Sequence, residues 1–482
     1  VVNDTIVAGI TAPGDAAVAL TRLSGPRALA LAAARFRGRR SPLASPTHRI
    51  LFGSFLGSDG APLDTILVSI FRAPHSYTGE DVVEISSHGG ASIPRAIFDA
   101  LVADGARPAR PGEFTERAYR NGKLDLAQAE SVAALVRARS EHAARAASLA
   151  LGGSLSRRVE GWEVALVRIL AEVEARIDFP VEAGEPLDGA SMATSCESIA
   201  ASIAEGLSRL PASRRAQEGI RVSMLGRPNV GKSSLLNALV GYDRAIVTEH
   251  PGTTRDTLED SIWLDGIEVR LIDTAGLRPV EDPIERLGVE RAAMAARACD
   301  LAVVVLDRSD PREADAASAA DLMDLASGRP VIVAWNKADL ADGADAERAL
   351  APAPALAVLT TPAPAPAVLA TPAPTVLAEV ETIAIREGGA EPLRDALRAA
   401  LPRLMDAHAG EEIATTTARQ EALLAEAHEA LSRATEGLRE EHSCDLVAAD
   451  LQDARRALGE ILGRGVSDEV VAAIFSRFCI GK

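Results

Sequence analysis

Aromatic rings are scarce in this chain: Phe, Trp and Tyr make up 3 % of its 482 residues. Its cores must therefore be aliphatic, drawn from Ala, Leu and Val. Cysteine is scarce too, with four residues at positions 196, 299, 444 and 479. None of these stands at metal-ligand or C-x-x-C spacing, which excludes a zinc site and a thioredoxin-like motif. So few thiols, without a signal-peptide pattern, suit a reducing, cytoplasmic setting. No apolar run reaches membrane-spanning length, so no membrane role is expected. Basic charge is in deficit: 51 Lys and Arg against 68 Asp and Glu leave a net charge of −17. Each nucleic-acid phosphate contact needs a Lys or Arg, so broad non-specific binding is excluded, while a local patch remains open. The densest basic run is Arg35-Phe36-Arg37-Gly38-Arg39-Arg40. It reads as a solvated face or as an RNA contact.

The chain does contain a phosphate cradle. Gly226-Arg227-Pro228-Asn229-Val230-Gly231-Lys232-Ser233 fits G-x-x-x-x-G-K-[ST]. An alternating apolar strand, Ile220–Leu225, precedes it, and a helical start follows through Ser234. In that setting backbone N–H groups and the helix dipole attract anions, Lys232 reaches the β/γ-phosphates, and Ser233 binds Mg²⁺. About forty residues on, a strand ends in Asp273-Thr274-Ala275-Gly276, a D-x-x-G. An acid at that strand end can hold Mg²⁺ through water, and the Gly lets a peptide N–H approach the γ-phosphate. The strand Val331–Ala334 delivers Asn336-Lys337-Ala338-Asp339, an N-K-x-D. The Asp339 carboxylate can accept the N1–H and N2–H₂ pair of guanine, which adenine lacks. Guanine is therefore the expected base.

Between these motifs runs Thr248-Glu249-His250-Pro251-Gly252-Thr253-Thr254-Arg255-Asp256. It resembles switch I of the TrmE–Era–EngA–Septin class, with Thr254 completing Mg²⁺ coordination. The water-orienting Gln that Ras-type proteins place after D-x-x-G is missing, and Leu277 stands there. A monovalent cation can supply charge at the β–γ bridge instead. Asn229, Thr248, His250 and Thr253 offer oxygens for K⁺. Arg227 and Arg255 read more simply as exposed loop arginines than as fingers.

The chain ends in Phe478-Cys479-Ile480-Gly481-Lys482 and begins with Asn3-Asp4-Thr5-Ile6-Val7-Ala8. Between them stand Ser76-Tyr77-Thr78-Gly79-Glu80-Asp81, Arg110-Pro111-Gly112-Glu113-Phe114-Thr115 and Asn121-Gly122-Lys123-Leu124-Asp125-Leu126. With these motifs the sequence resembles the bacterial tRNA-modification GTPase family, MnmE/TrmE. The resemblance implies a multidomain α/β and α fold. Residues 1–118 would be a folate-binding-like α+β domain that dimerises. Residues 119–217 and 403–482 would be the two parts of a discontinuous helical bundle. Residues 218–402 would be an inserted Ras-like P-loop GTPase domain.

The resemblance also implies a chemistry. The family adds a carboxymethylaminomethyl or aminomethyl group at C5 of the wobble uridine of certain tRNAs. It works in a heterotetramer with an MnmG/GidA-type flavoprotein that uses FAD and NADH. A 5-formyl- or methylene-tetrahydrofolate would meet Arg22, Glu84, Lys123 and Lys482. Glu285 would orient the attacking water. Cys479 would serve the modification but not GTP hydrolysis. It is expected as a flexible, exposed thiol near Arg477 and Lys482, an electropositive setting for a nucleophile. The loop touching guanine O6 reads Ile383-Ala384-Ile385-Arg386, with the Ala384 N–H as the donor. Two other readings stay open: a ribosome-assembly or regulatory GTPase acting as a binding switch, and a folate enzyme with a vestigial GTPase. Intact Lys232, Ser233, Asp273 and Asp339 argue against the second.

Helical periodicity covers 124–150, 155–177, 191–210, 418–440 and 446–462, with a last short helix over 468–477. An Ala/Pro-rich insert at 341–381 departs from the family and predicts an extended, mobile spacer.

Overall fold

The computed structural model describes residues 4–12, 14–138, 140–178, 188–208, 219–244, 259–273, 299–310, 326, 328–340, 375–404 and 417–481. The chain divides into two compact units. One comprises Val1–Arg137, Ala146–Ser208 and Glu411–Lys482, the other Ala138–Arg145 and Arg209–Gly410.

The first unit opens with a seven-stranded sheet. Its strands are β1 (Ile6–Gly9), β2 (Val18–Ser24), β3 (Phe36–Gly38), β4 (Arg49–Leu56), β5 (Pro62–Phe71), β6 (Val82–His88) and β7 (Arg107–Pro108). Their order is β3-β4-β5-β6-β2-β1-β7, antiparallel except for β1 with β7. Helices α1 (Ala28–Ala34), α2 (Ser92–Ala103) and α3 (Glu113–Arg120) accompany it. Val7, Leu23, Val83 and Ile85 from the strands meet Leu29, Ile97 and Leu101 from the helices in one buried cluster. An α+β domain results.

Helical periodicity then takes over in α4 (Leu126–Arg137), α5 (Glu141–Leu151), α6 (Ser154–Asp178) and α7 (Gly189–Ser208). The run expected over 124–150 is broken, because the Ser140 hydroxyl accepts the Ala143 N–H at 3.0 Å and caps a new helix there. Far later in sequence come α10 (Ala418–Arg439), α11 (Cys444–Ile461) and α12 (Asp468–Phe475). Trp162, Leu166 and Val173 of α6 share one core with Cys196 and Ile203 of α7, Leu424 and Leu431 of α10, and Leu451 and Leu458 of α11. The bundle is thus assembled from two separated stretches, and an inserted domain lies between them in the chain.

That insert carries a six-stranded sheet: β8 (Ile220–Leu225), β9 (Glu259–Leu264), β10 (Ile267–Asp273), β11 (Leu301–Asp307), β12 (Pro330–Asn336) and β13 (Thr375–Glu381). Helices α8 (Lys232–Arg244) and α9 (Glu391–Leu404) belong to the same unit. Strand order is β13-β12-β11-β8-β10-β9, with only the β9–β10 pair antiparallel. β11 and β12 are buried almost throughout, as parallel strands covered on both faces are. Residues 375–381 fall within the Ala/Pro-rich insert that the sequence predicts as an extended spacer. They form β13 because Thr-Val-Leu-Ala-Glu-Val-Glu follows the last proline and can donate to the ladder of β12.

Candidate functional site

β8 lies between β11 and β10, so its carboxyl end is the switch point of an open parallel sheet, where ligands bind. The phosphate loop leaves from there. Gly226, Asn229 and Gly231 take φ of +153°, +66° and +98°, which turn the chain tightly into α8. No acidic residue occupies the first turn of α8, so nothing of like charge opposes an anion at that terminus. Ser233 and Ser234 are exposed on that turn, as is Asn229 on the loop. Val230 is buried beneath it. The Lys232 ammonium, largely buried, donates to the Gly226 and Arg227 carbonyls at 2.8 and 2.7 Å. It is thereby held within the loop it serves.

Asn336 joins the loops. It is 2 % exposed, and its Nδ2 donates to the Val230 carbonyl at 2.9 Å. Its Oδ1 accepts the Ala384 N–H at 3.1 Å and the Thr382 hydroxyl at 3.3 Å. Phosphate loop, N-K-x-D and the loop after β13 are thus tied by one side chain. A Cβ on Gly231 would come within 2.2 Å of the Asn336 Nδ2, so the second glycine of the motif makes room for this bridge. The Ala384 N–H, expected to face guanine O6, is here directed to Asn336. The amide geometry around a buried acceptor draws it inward.

Lys337 takes a φ of +59°, and its Nζ meets Asp307 Oδ2 at 2.5 Å. Burial pulls the Asp307 carboxyl upward, but hydrogen bonds from Lys337 and Ser309 outweigh it and hold the group below its ordinary value. Asp339 is exposed on a 3₁₀ turn over Ala338–Leu340. Asp273 closes β10 in register with Met224 of β8, next to the root of the loop. Thr248, Glu249, His250, Pro251, Gly252, Thr253, Thr254, Thr274, Ala275, Gly276 and Glu285 lie outside the described residues, as does Lys482.

In the first unit, Arg22 and Glu84 face each other across β2 and β6 and form a 2.7 Å ion pair. The Arg22 guanidinium also lies over the rings of Tyr77 and Phe114, at 5.4 and 5.5 Å. Tyr77 shares a 2.9 Å hydrogen bond with Thr115. Lys123 reaches the Pro74 carbonyl at 3.2 Å, on the same loop as Tyr77. Arg22, Glu84 and the Tyr77 loop therefore form one patch, with Lys123 at its edge. Beside it is an ionic network, buried at Glu113 and Arg117, that sequence reading missed. Arg117 binds Asp4, Glu80 and Glu113, while Glu113 also binds Arg107 and Arg110. Burial raises the Glu113 carboxyl, yet the hydrogen bonds from Arg107 and the Arg110 N–H bring it down to about 2.

The tail, expected to be flexible, is pinned. Phe475 packs on Tyr119 and Phe478 with ring centroids 6.2 and 5.2 Å apart. The Gly112 N–H donates to the Cys479 carbonyl at 3.3 Å. Gly481 has φ +96°, and a Cβ there would lie 2.7 Å from the Gly9 carbonyl, so only glycine fits. The few aromatic rings of this chain are spent in part on fixing its end. Cys479 itself is exposed, whereas Cys196 and Cys299 are buried and Cys444 half-buried.

A phosphate loop at the switch point, bridged to an N-K-x-D loop by a buried asparagine, defines a P-loop GTPase. The family model described as the MnmE helical domain matches residues 126–479, and that of the GTP-binding protein TrmE N-terminus matches residues 5–123. The tRNA modification GTPase MnmE of Chloroflexus aurantiacus is 42 % identical over 480 residues, spanning 100 % of both chains. That of Thermus thermophilus is 40 % identical over 483 residues, covering 100 % of this chain and 99 % of its own. That of Listeria innocua is 36 % identical over 480 residues, covering 99 % of each. The chain belongs to the MnmE/TrmE family.

Proposed function

We propose that this protein hydrolyses GTP to drive modification of the wobble uridine of certain tRNAs at C5. The observation that carries the reading is full-length family membership combined with an intact nucleotide frame and an exposed, fixed Cys479. GTP would lie on the Gly226–Ser234 loop, with Asp339 accepting from guanine. Mg²⁺ suits Ser233 and Thr254, and K⁺ suits Asn229, Thr248, His250 and Thr253. Either ion would stabilise charge on the transferred phosphoryl group. Glu285 would orient water. Because the Ala384 N–H is engaged by Asn336, guanine O6 would be met only if that loop shifts on binding.

The one-carbon unit would come from a tetrahydrofolate held near Arg22, Glu84, Lys123 and Lys482. The Arg22–Glu84 pair supports this reading, since a pterin edge and a glutamate tail present the complementary groups. An MnmG/GidA-type partner would supply FAD and NADH in a heterotetramer. Homodimerisation through residues 1–118 is supported by Ile50, Phe52 and Leu67. They are 66, 71 and 44 % exposed, and Phe52 and Leu67 are cross-strand neighbours on one sheet face. The remaining proposed segments are 119–217 and 403–482 for the bundle and 218–402 for the GTPase. A cytoplasmic site of action fits this chemistry.

The test is nucleoside mass spectrometry of tRNA from cells lacking the protein, complemented with wild type, Lys232→Ala or Cys479→Ser. Return of C5-aminomethyl-type uridines with wild type alone supports the reading. Uridines unaffected by the deletion, with no redundant enzyme, reject it in favour of a ribosome-associated switch.

A further inference from the structure

Three exposed arginines lie on the segments that hold the backbone of the exposed thiol. Arg477 lies two residues before Cys479. Arg137 of α4 donates to the Arg477 carbonyl. Arg110 lies two residues before Gly112, whose N–H holds the Cys479 carbonyl. All three arginines are exposed. Among the described residues neither Arg137 nor Arg477 is paired with a carboxylate, and the acids beside Arg110 are buried. Glu113 and Glu116 are 2 and 9 % exposed, and they meet Arg110 at 3.5 and 3.3 Å. Of the two exposed acids at the start of α12, Asp468 is paired with Arg120 at 3.0 Å, and Glu469 lies ten residues before the thiol. A chain of net charge −17 thus carries exposed positive charge on the segments beside its exposed sulfur.

We infer that Arg110, Arg137 and Arg477 form a phosphate-binding rim that docks RNA over Cys479. The inference rests on the reading that the substrate is tRNA. The Gly112–Cys479 and Arg137–Arg477 bonds hold the main chain of the tail against these segments, so a strand gripped by its phosphates would offer its bases to the thiol in one register. Phosphate contacts position without reading sequence, and guanidinium groups bind phosphate in a bidentate fork.

The experiment is binding of an unmodified tRNA transcript to the full-length protein across a KCl series. It compares wild type, the triple variant R110A/R137A/R477A, and the triple lysine variant. With three contacts to a single strand, the alanine variant should lose about two from the log–log salt slope, and about tenfold or more in affinity at moderate salt. The lysine variant should keep the slope, and GTP turnover and thermal unfolding should be unchanged in both, which together report an intact fold in either unit. Equal affinity and slope in the alanine variant overturn the inference alone. So does a variant that keeps tRNA but loses the flavoprotein partner, because the rim is then a protein contact. A wild-type protein that does not bind tRNA overturns both the inference and the reading beneath it.

Discussion

Replacing Asn336 by alanine isolates the side chain that ties the nucleotide loops together. The change strands the buried Val230 carbonyl and the Ala384 N–H. The Thr382 hydroxyl loses less, since it already lies 3.5 Å from the Trp335 carbonyl and can rotate toward it. A buried polar group left without its partner costs about 1–3 kcal/mol. Two such groups at the low end sum to about 2–3 kcal/mol. The aliphatic core of the GTPase sheet is untouched, so this loss should fall on the order of the loops. At about 1.4 kcal/mol per decade, GTP affinity should drop roughly thirty- to hundredfold. Titration with a fluorescent GTP analogue measures it, and circular dichroism checks that the domain remains folded. Gly231→Ala should be at least as severe, because its Cβ would strike the Asn336 amide and its φ is +98°. Affinity within threefold of wild type in Asn336→Ala would refute the reasoning, since the loops would then be held without the bridge.

Glu113 sets an acid limit for the first unit. Its carboxyl falls from an ordinary 4.5 to about 2 on folding. A depressed folded value stabilises fully above the unfolded value and is lost as pH falls through the folded one, so stability should decline between about pH 4.5 and 2, by on the order of 3 kcal/mol. Urea unfolding at pH 6 and 3 tests this, and Glu113→Gln should flatten the dependence. Turnover should be faster in KCl than in NaCl at equal ionic strength, and equal rates would remove the cation from the account. Glu285→Ala should retain GTP binding and lose turnover, whereas lost binding would make the residue structural.

Much of the frame was legible because local pattern and fold agree. Ile220–Leu225, the glycine loop and the helix at Lys232 announce themselves within fourteen consecutive residues, a strand, a loop and a helix start in order. The split bundle was readable because Ala and Leu recur at helical spacing on both sides of the GTPase motifs. What escaped depends on partners distant in sequence. Thr382 meets Asn336 across the Ala/Pro-rich stretch, and nothing local marks it as a brace. Arg22 and Glu84 could be chosen separately as ligands, yet their ion pair follows from strand register. Ser140 broke an expected helix through a single cap. The pinned tail needed Gly112 and Tyr119, more than three hundred residues away in sequence, to be seen at all.

The central claim is that GTP turnover in the inserted domain serves chemistry on RNA that needs Cys479. Its most direct test is reconstitution with the flavoprotein partner, NADH, a tetrahydrofolate carrier and unmodified tRNA, following C5-modified uridine by mass spectrometry. The account predicts product with GTP, and none with a non-hydrolysable analogue or with Lys232→Ala. Equal product in all three reactions would contradict it.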